Sequence, residues 1–221
     1  MHTQFVERHI RSLSIAKTCA ELGARIRTIT YITGLEHGEL VRLFFVDKQS
    51  APRGRPPDSP DWYHHEANLI EKVEAAMVVA VYCRMRDLGF GPADSLVGGF
   101  KHYRQQCKQA PRISFDRAFD LVCHTQGIWA AASPQLALAT CPRCQSQHLT
   151  GLGERPSQDR PCPFCQLIKR YWCDKRVQAT FPPRALPAVS SIPLGLLSAL
   201  LSPDWSAVGA DAESPLRNKR F

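Results

Sequence analysis

The sequence predicts a mainly α-helical protein with a small cysteine-rich module in its C-terminal half. Apolar residues recur at helical spacing up to about residue 128, whereas beyond Pro134 they alternate with polar residues and two Cys-x-x-Cys pairs follow. These changes divide the chain into an all-helical domain over 1–130, a ribbon with a basic flank over 131–179 and a mostly flexible tail over 180–221.

Composition bounds the class of protein. A chain of 221 residues with 44% apolar residues can bury a good core, so we expect a folded protein. The N-terminal residues are charged, and the most apolar stretch, Ala75–Cys83, is far shorter than the roughly 20 residues that span a bilayer. We therefore expect a soluble, cytoplasmic protein with no membrane partner. The net charge of +8 favours a polyanionic partner such as nucleic acid.

Helical spacing begins near Phe5 and continues to about Asp47, which predicts two or three short helices. The apolar positions that carry this pattern are Val6, Ile10 and Leu13, then Leu22, Ile26 and Ile29, then Leu40, Leu43 and Phe44. The prolines and glycine of Ser50–Pro60 exclude a helix there and predict an exposed basic loop.

Gly34 is in a position to form the turn between two of these helices. A helix-turn-helix over roughly 24–46 is therefore one interpretation. Its second helix would begin near Glu36 and display Glu36, His37, Glu39 and Arg42. Carboxylates match phosphates poorly, although a glutamate can accept a hydrogen bond from cytosine. An ordinary helical hairpin in the core is the other interpretation.

Three further helices follow. The first would run from an N-cap at Ser59 or Asp61 to a stop at Gly89, and its apolar middle marks it as the central core helix. The second begins at about Pro92 and contains Gly98-Gly99, which is either a weak point or a close-packing site. The third is predicted to run from an N-cap at Ser114 to a stop at Gly127. Beyond them, "QLALATC" and "QSQHLTG" fit short strands, and in the tail only Ile192–Leu201 is an apolar run, a candidate docking segment.

The two Cys-x-x-Cys pairs are separated by seventeen residues, and Pro142 and Pro163 occupy the same place in each pair. Such turns each point two thiolates at one centre, so the spacing predicts a tetrahedral site for one Zn²⁺ ion. The predicted ligands are Cys141, Cys144, Cys162 and Cys165. Four thiolates fill the zinc shell, which makes the ion structural rather than catalytic. Two unrelated buried or redox-active pairs are the alternative.

Other residues near the pairs bear on this prediction. His148 is a substitute ligand or, more simply, a half-exposed packing residue on a strand. Arg143, Arg160, Lys169 and Arg170 offset the negative charge of the thiolates. Four other cysteines are interpreted as small core or boundary residues: Cys19, Cys83, Cys107 and Cys123. No role is assigned to Cys173, which closely follows the ribbon.

Basic residues cluster in the proline-rich loop and directly after the last cysteine of the quartet, where "LIKRYWCDKR" places them beside Tyr171 and Trp172. Clusters of this kind supply phosphate contacts that set affinity without reading bases. The predicted DNA-contacting residues are Arg42, Arg53, Arg55, Arg143, Lys169, Arg170, Lys175 and Arg176. A solvated charged surface is the alternative.

The order of these motifs resembles one protein family. The segments "ELGARIRTITYITGLEHGELVRLFF", "SPDWY", "YRQQC" and "LATCPRC…CPFC" together are similar to the FlhC family of flagellar transcriptional regulators, over roughly residues 15–176. The resemblance implies an activator that binds promoter DNA in a hetero-oligomer with FlhD, helps recruit RNA polymerase, and binds zinc through the four cysteines.

Two other functions are weighed against that expectation. A divergent FlhC-like interaction subunit would bind FlhD with weak or no sequence-specific DNA binding, and the acidic Glu36 and Glu39 motivate it. An enzyme finds little support, because the sequence has neither a phosphate-cradling glycine loop nor a Gly-x-Ser-x-Gly motif. We therefore expect no catalytic residues and no small-molecule substrate.

Overall fold

A computed structural model describes residues 2–45, 51–57, 59–107, 111–155 and 161–182 of the chain. Within these ranges it contains eight α-helices, one short π-helical turn and one two-stranded sheet. The mainly helical fold class is confirmed. The described residues up to Pro182 form one compact unit.

Three helices open the fold: α1 (His2–Glu21), α2 (Ile26–Thr33) and α3 (His37–Phe44). The prediction of two or three helices is correct in number, but α1 is 20 residues long rather than short. Arg25 enters α2 with extended backbone and makes two hydrogen bonds to the Asp116 carboxylate, from its N–H at 3.1 Å and from Nη1 at 2.6 Å.

The turn between α2 and α3 has the geometry predicted for it. Gly34 has a left-handed φ of 73°, and its N–H donates to the Thr30 carbonyl, which ends α2. Ile29, Leu35 and Leu40 are buried and hold the two helices together. The structure therefore has two short helices joined by a glycine turn, and the helix-turn-helix interpretation, like its use on DNA, stays a prediction.

The long helix predicted from Ser59 or Asp61 to Gly89 is wrong at its start. The chain instead forms a π-helical turn, Trp62–Glu66, and then begins α4 (Leu69–Asp87) afresh. Asn68 starts α4 with a capping box: its Oδ1 accepts from the Ile70 and Glu71 N–H groups at 2.9 and 3.1 Å, and Glu71 accepts from the Asn68 N–H at 2.9 Å. The capping box satisfies the free N–H groups of a new helix start, so the two segments do not merge.

Helices α4, α5 (Pro92–Gln106) and α6 (Phe115–Gln126) form the centre of the fold. Pro92 at the start of α5, Ser114 as the N-cap of α6 and Gly127 after it are all as predicted. A Cβ atom on Gly99 would lie 3.3 Å from the Tyr82 backbone nitrogen, which shows that this glycine lets α4 and α5 approach closely. The close-packing interpretation of Gly98-Gly99 is therefore correct for Gly99.

Helix α4 is the central core helix, as predicted. Its buried side chains are Ile70, Val73, Glu74, Ala75, Ala76, Val78, Val79 and Tyr82. Glu74 is the one acid in this set, and it accepts hydrogen bonds from the Tyr103 hydroxyl at 2.5 Å and from the Arg112 N–H at 3.1 Å. These bonds compensate for removing a carboxylate from water.

The predicted ribbon strands are present. Strand β1 (Leu136–Thr140) pairs antiparallel with β2 (Gln147–Gly151), with Leu138 opposite Leu149. The Tyr63 hydroxyl donates to the Leu149 carbonyl at 3.1 Å, and Leu136 and Leu149 belong to the same core cluster as the helices. The sheet is therefore packed onto the helical part, mainly against α4.

Two helices in the C-terminal module were not predicted: α7 (Pro163–Tyr171) and α8 (Lys175–Thr180). Cys162 is the N-cap of α7 and Pro163 occupies its first turn, while Asp174 caps α8 by accepting from the Arg176 N–H at 2.9 Å. The module is thus half ribbon and half helix. The division of the chain at about residue 130 stays a prediction.

Some predictions concern residues that the structure does not describe. They are the charge compensation by Arg160, the flexibility of nearly all of the 180–221 tail, and the docking role of the apolar run Ile192–Leu201.

Candidate functional site

The two Cys-x-x-Cys pairs meet in space. Cys141 and Cys144 lie in the turn that follows β1, whereas Cys162 and Cys165 lie at the start of α7. The four sulfur atoms all lie within 4.8 Å of one another. The structure therefore brings together all four predicted metal ligands, in a group that could hold one metal ion.

The sulfur–sulfur distances fit a tetrahedral thiolate site. With a Zn–S bond of about 2.3 Å, tetrahedral geometry places sulfur atoms about 3.8 Å apart. Cys141 Sγ lies 3.9 Å from Cys165 Sγ, and Cys144 Sγ lies 3.5 Å from Cys162 Sγ. A set of four thiols at this spacing suits Zn²⁺ better than Mg²⁺ or Ca²⁺, which take oxygen ligands.

Backbone hydrogen bonds shape both turns of the site. In the first turn the Cys141 N–H donates to the Ser146 carbonyl at 3.0 Å, and the Gln145 N–H donates to the Cys141 carbonyl at 2.9 Å. In the second turn the Cys165 N–H donates to the Cys162 sulfur at 3.4 Å. N–H groups directed at sulfur stabilise the thiolate form that a metal requires.

The thiols differ in acidity. Hydrogen bonding from the backbone N–H of Cys144 lowers the pKa of the Cys141 thiol to about 6, while burial raises the pKa of the Cys162 thiol to about 12. Without a cation, four thiolates cannot form at this spacing, because each negative charge opposes the next. A divalent cation removes that opposition, so metal binding and full deprotonation are coupled.

His148 is not part of the sulfur cluster. It lies on β2 and is buried, so the expectation of a half-exposed side chain is wrong. The strand packs against α4, which covers positions that an isolated ribbon would leave open. Its Nδ1 is a buried atom without a hydrogen-bond partner in the described part of the chain.

The other cysteines are outside the cluster. Cys19 and Cys123 are buried, and desolvation raises the pKa of each thiol to about 12, which keeps them protonated. Cys83 and Cys107 are partly buried, so the interpretation of all four as core or boundary residues is correct. Cys173 is exposed.

Five of the eight predicted DNA-contacting residues lie on the cysteine module. Arg143 is exposed in the first cysteine turn, Lys169 and Arg170 are exposed in the last turn of α7, and Lys175 and Arg176 are exposed in the first turn of α8. The second cysteine pair lies at the start of α7, the helix that carries two of these cations in its last turn.

The other three predicted residues lie elsewhere along the chain. Arg42 is exposed in the last turn of α3, and Arg53 and Arg55 are exposed in the segment that precedes the π-helical turn. The carbonyl of Arg53 accepts a 3.2 Å hydrogen bond from Arg25 Nε, which attaches this segment to the start of α2.

The structure also contains a cleft of about 460 Å³ that sequence patterns did not indicate. Arg25, Arg55 and Arg117 line it together with Trp62, and the Arg117 guanidinium lies 4.5 Å from the Trp62 ring centroid. Arg25 and Arg117 are paired with Asp116 and Glu71. These residues come from separate elements, so no local motif could have predicted the cleft.

In class, this is a mainly helical protein with a module of four clustered cysteines that could hold a metal ion, and with basic helices beside it. The family model of the flagellar transcriptional activator FlhC matches residues 1–178. The chain belongs to the FlhC family of flagellar transcriptional activators, and the resemblance identified from sequence is confirmed.

Individual relatives are similar over most of their length, and all are described as flagellar transcriptional regulator FlhC. The chain is 24% identical to the Proteus mirabilis protein, covering 77% of this chain and 86% of that one. It is 27% identical to the Paraburkholderia atlantica protein, covering 87% of each. It is 29% identical to the Variovorax paradoxus (strain S110) protein, covering 73% and 77%.

Among the residues that the structure describes, no helix is both long and apolar enough to cross a membrane.

Proposed function

We propose that this protein is a DNA-binding activator subunit of flagellar genes that contains one structural zinc ion and acts in a hetero-oligomer with FlhD. Membership of the FlhC family carries the flagellar and regulatory part of this proposal. The partner FlhD, promoter DNA and a contact with RNA polymerase follow from the resemblance to the family and are proposed here for this chain.

The zinc part rests on the cysteine quartet. All four sulfurs lie within 4.8 Å of one another, at spacings close to those of a tetrahedral thiolate site. Cys141, Cys144, Cys162 and Cys165 would hold the ion and leave no open position for water. The ion would therefore join the turn after β1 to the start of α7 rather than take part in a reaction.

The DNA part is supported by the exposed cations of α7 and α8. Lys169 and Arg170 end one helix and Lys175 and Arg176 begin the next, so four positive charges occur within eight residues of the chain. Lys and Arg at this density neutralise phosphates and release counterions, which drives binding to DNA of any sequence. The residues that read bases are a separate question.

We propose no enzymatic activity and no small-molecule substrate, and we propose a cytoplasmic location, where promoter DNA is found. A four-thiolate shell is closed, so it supplies neither a bound water nor a vacant coordination position for catalysis.

One observation favours a second candidate, an FlhC-like subunit that binds FlhD with weak sequence-specific DNA binding. Helix α3 begins directly after Glu36 and carries Glu39 in its first turn. In a helix-turn-helix the N-terminal residues of the second helix face the bases and the phosphates around them. The carboxylates of Glu36 and Glu39 at this end of α3 would repel the DNA phosphates.

The experiment that tests the proposal is co-purification with FlhD from the same genome, with zinc measured in the product. The complex is then titrated against a flagellar promoter fragment and a scrambled fragment in one buffer. About one zinc per chain together with preference for the promoter supports the activator. Zinc with equal affinity for both fragments supports the second candidate, and a complex without zinc contradicts the metal assignment.

A further inference from the structure

Two large apolar side chains are exposed at the end of α7. Trp172 exposes 82% of its surface and Ile168 exposes 65%. They are four residues apart, and Trp172 keeps helical backbone angles, so both lie on one side of the helix end. We call Ile168 and Trp172 the α7 apolar pair. A tryptophan normally buries 150–250 Å² when it packs, so this ring has most of that contact area still available.

The backbone beneath the pair is held by hydrogen bonds. The N–H groups of Cys173 and Asp174 both donate to the Arg170 carbonyl, at 3.0 and 2.9 Å. Gln178 Nε2 on α8 donates to the Tyr171 carbonyl at 2.8 Å. The exposed ring is therefore presented by a defined turn.

Helix α8 is in turn fixed to the body of the protein. Val177 is buried, and the Thr180 hydroxyl accepts a 3.2 Å hydrogen bond from Arg112 Nη2, which belongs to the segment before α6. The Tyr171 ring meets the Trp172 ring edge-on, with centroids 5.2 Å apart and an interplanar angle of 88°. In a T-shaped contact the edge of one ring meets the face of the other, so Tyr171 covers at most one face of the indole and the other face can still stack on a flat partner.

The surroundings of the pair are positively charged. The exposed Lys169, Arg170, Lys175 and Arg176 flank it along the chain. The single acid in this stretch, Asp174, caps α8 through its side chain. A protein-docking site fits this charge less well, because the buried centres of protein interfaces are depleted in charged residues, and in lysine especially.

A flat aromatic ring among cations is instead a combination that binds nucleic acid. Cations hold the phosphates while an aromatic side chain stacks on a base, and apolar side chains of DNA-bending proteins enter opened base steps. We propose that Trp172, supported by Ile168, inserts at a base step of promoter DNA and stacks on an exposed base. The inference rests on the proposed DNA-binding function and adds an uncharged contact to it.

The test uses the purified complex with FlhD and a labelled promoter duplex, titrated at several salt concentrations. Trp172→Ala should lower the affinity by roughly 5- to 100-fold. The factor should be the same at every salt concentration, because an uncharged contact releases no counterions. Trp172→Phe should retain most of the affinity. Lys169→Ala should instead reduce the log–log salt slope by about 0.9.

Leu88→Ala is the matched control, because Leu88 is also a large apolar residue, 70% exposed, and lies at the end of α4. It should leave DNA affinity unchanged.

The outcomes separate the inference from the function beneath it. If the wild-type complex binds DNA and Trp172→Ala binds equally well at every salt concentration, the inference is wrong and the α7 apolar pair serves another partner. If Trp172→Ala changes the salt slope, the stacking role is also wrong. If the wild-type complex binds no DNA, the proposed function itself fails.

Discussion

The sulfur atoms of Cys144 and Cys162 lie 3.5 Å apart, although seventeen residues separate them in the chain. The turn after β1 therefore lies against Cys162, the N-cap residue of α7. Because α7 carries Lys169 and Arg170 in its last turn, the cysteine quartet lies at the start of the helix that holds part of the basic surface.

Loss of one cysteine should release the metal and leave the helical part folded. Cys162→Ser removes one of four ligands, so the zinc content should fall from about one per chain to near zero. The far-UV circular dichroism should keep most of its helical signal, because the core of α4, α5 and α6 consists of other residues. Cys173→Ser is the control, since Cys173 is exposed and outside the cluster. Unchanged zinc in Cys162→Ser would exclude this cysteine as a ligand.

Zinc affinity should fall as the pH is lowered. Burial raises the pKa of Cys162 to about 12, so in the metal-free protein this thiol carries a proton at neutral pH, and metal binding must release it. The Cys144 N–H lowers the pKa of Cys141 to about 6, so this second thiol has already lost its proton at neutral pH. We expect affinity measured against a competing chelator to fall at least tenfold per unit between pH 8 and pH 6. A flat profile would mean that binding releases no protons.

Removing the two cations of α7 should weaken binding to all DNA alike. Lys169→Ala combined with Arg170→Ala should lower affinity for promoter and scrambled fragments by the same factor, and reduce the log–log salt slope by about 2. Arg104→Ala, an exposed arginine on α5, is the control and should leave the slope unchanged. A loss confined to the promoter fragment would assign base reading, not phosphate contact, to this pair.

The ion pair between Arg25 and the buried Asp116 should contribute strongly to stability. Asp116 also accepts a 2.5 Å hydrogen bond from the Thr28 hydroxyl, so its loss leaves several buried donors unpaired. Asp116→Ala should lower the free energy of unfolding by about 3 kcal/mol in urea titrations. Asp94→Ala breaks the exposed pair with Arg11 and should cost less than about 1 kcal/mol. If both variants lost the same free energy of unfolding, burial of the carboxylate would not be what makes an ion pair stabilising here.

Two glycines near the α2–α3 turn should respond in opposite directions to the same substitution. Gly34 has a left-handed φ of 73°, so Gly34→Ala should destabilise the protein by about 1 kcal/mol. Gly38 lies inside α3 with nothing within 4 Å of an added Cβ, so Gly38→Ala should stabilise it by about 0.5–1 kcal/mol. Thermal unfolding of both variants measures the contrast, and a shift of the same sign in both would contradict it.

Local signals predicted the boundaries of the central helices α5 and α6 correctly. Pro92, Ser114 and Gly127 act on the backbone within a few residues of themselves, so their effects are visible in the sequence. The break before α4 was missed although Asn68 and Glu71 form a capping-box signature, because apolar residues continue across it. Helix α7 was also missed, yet Phe164, Leu167, Ile168 and Tyr171 follow helical spacing.

The sequence by itself determined the four candidate metal-binding cysteines, the family and the positions of the basic residues, since each depends on residue type and spacing along the chain. Only the tertiary structure decided that the four sulfurs share one centre, that Arg25 meets Asp116, and that Trp172 stands exposed while Val177 is buried. Contacts between residues 18 and 91 positions apart arise from packing of whole elements, and no pattern within a single element specifies them.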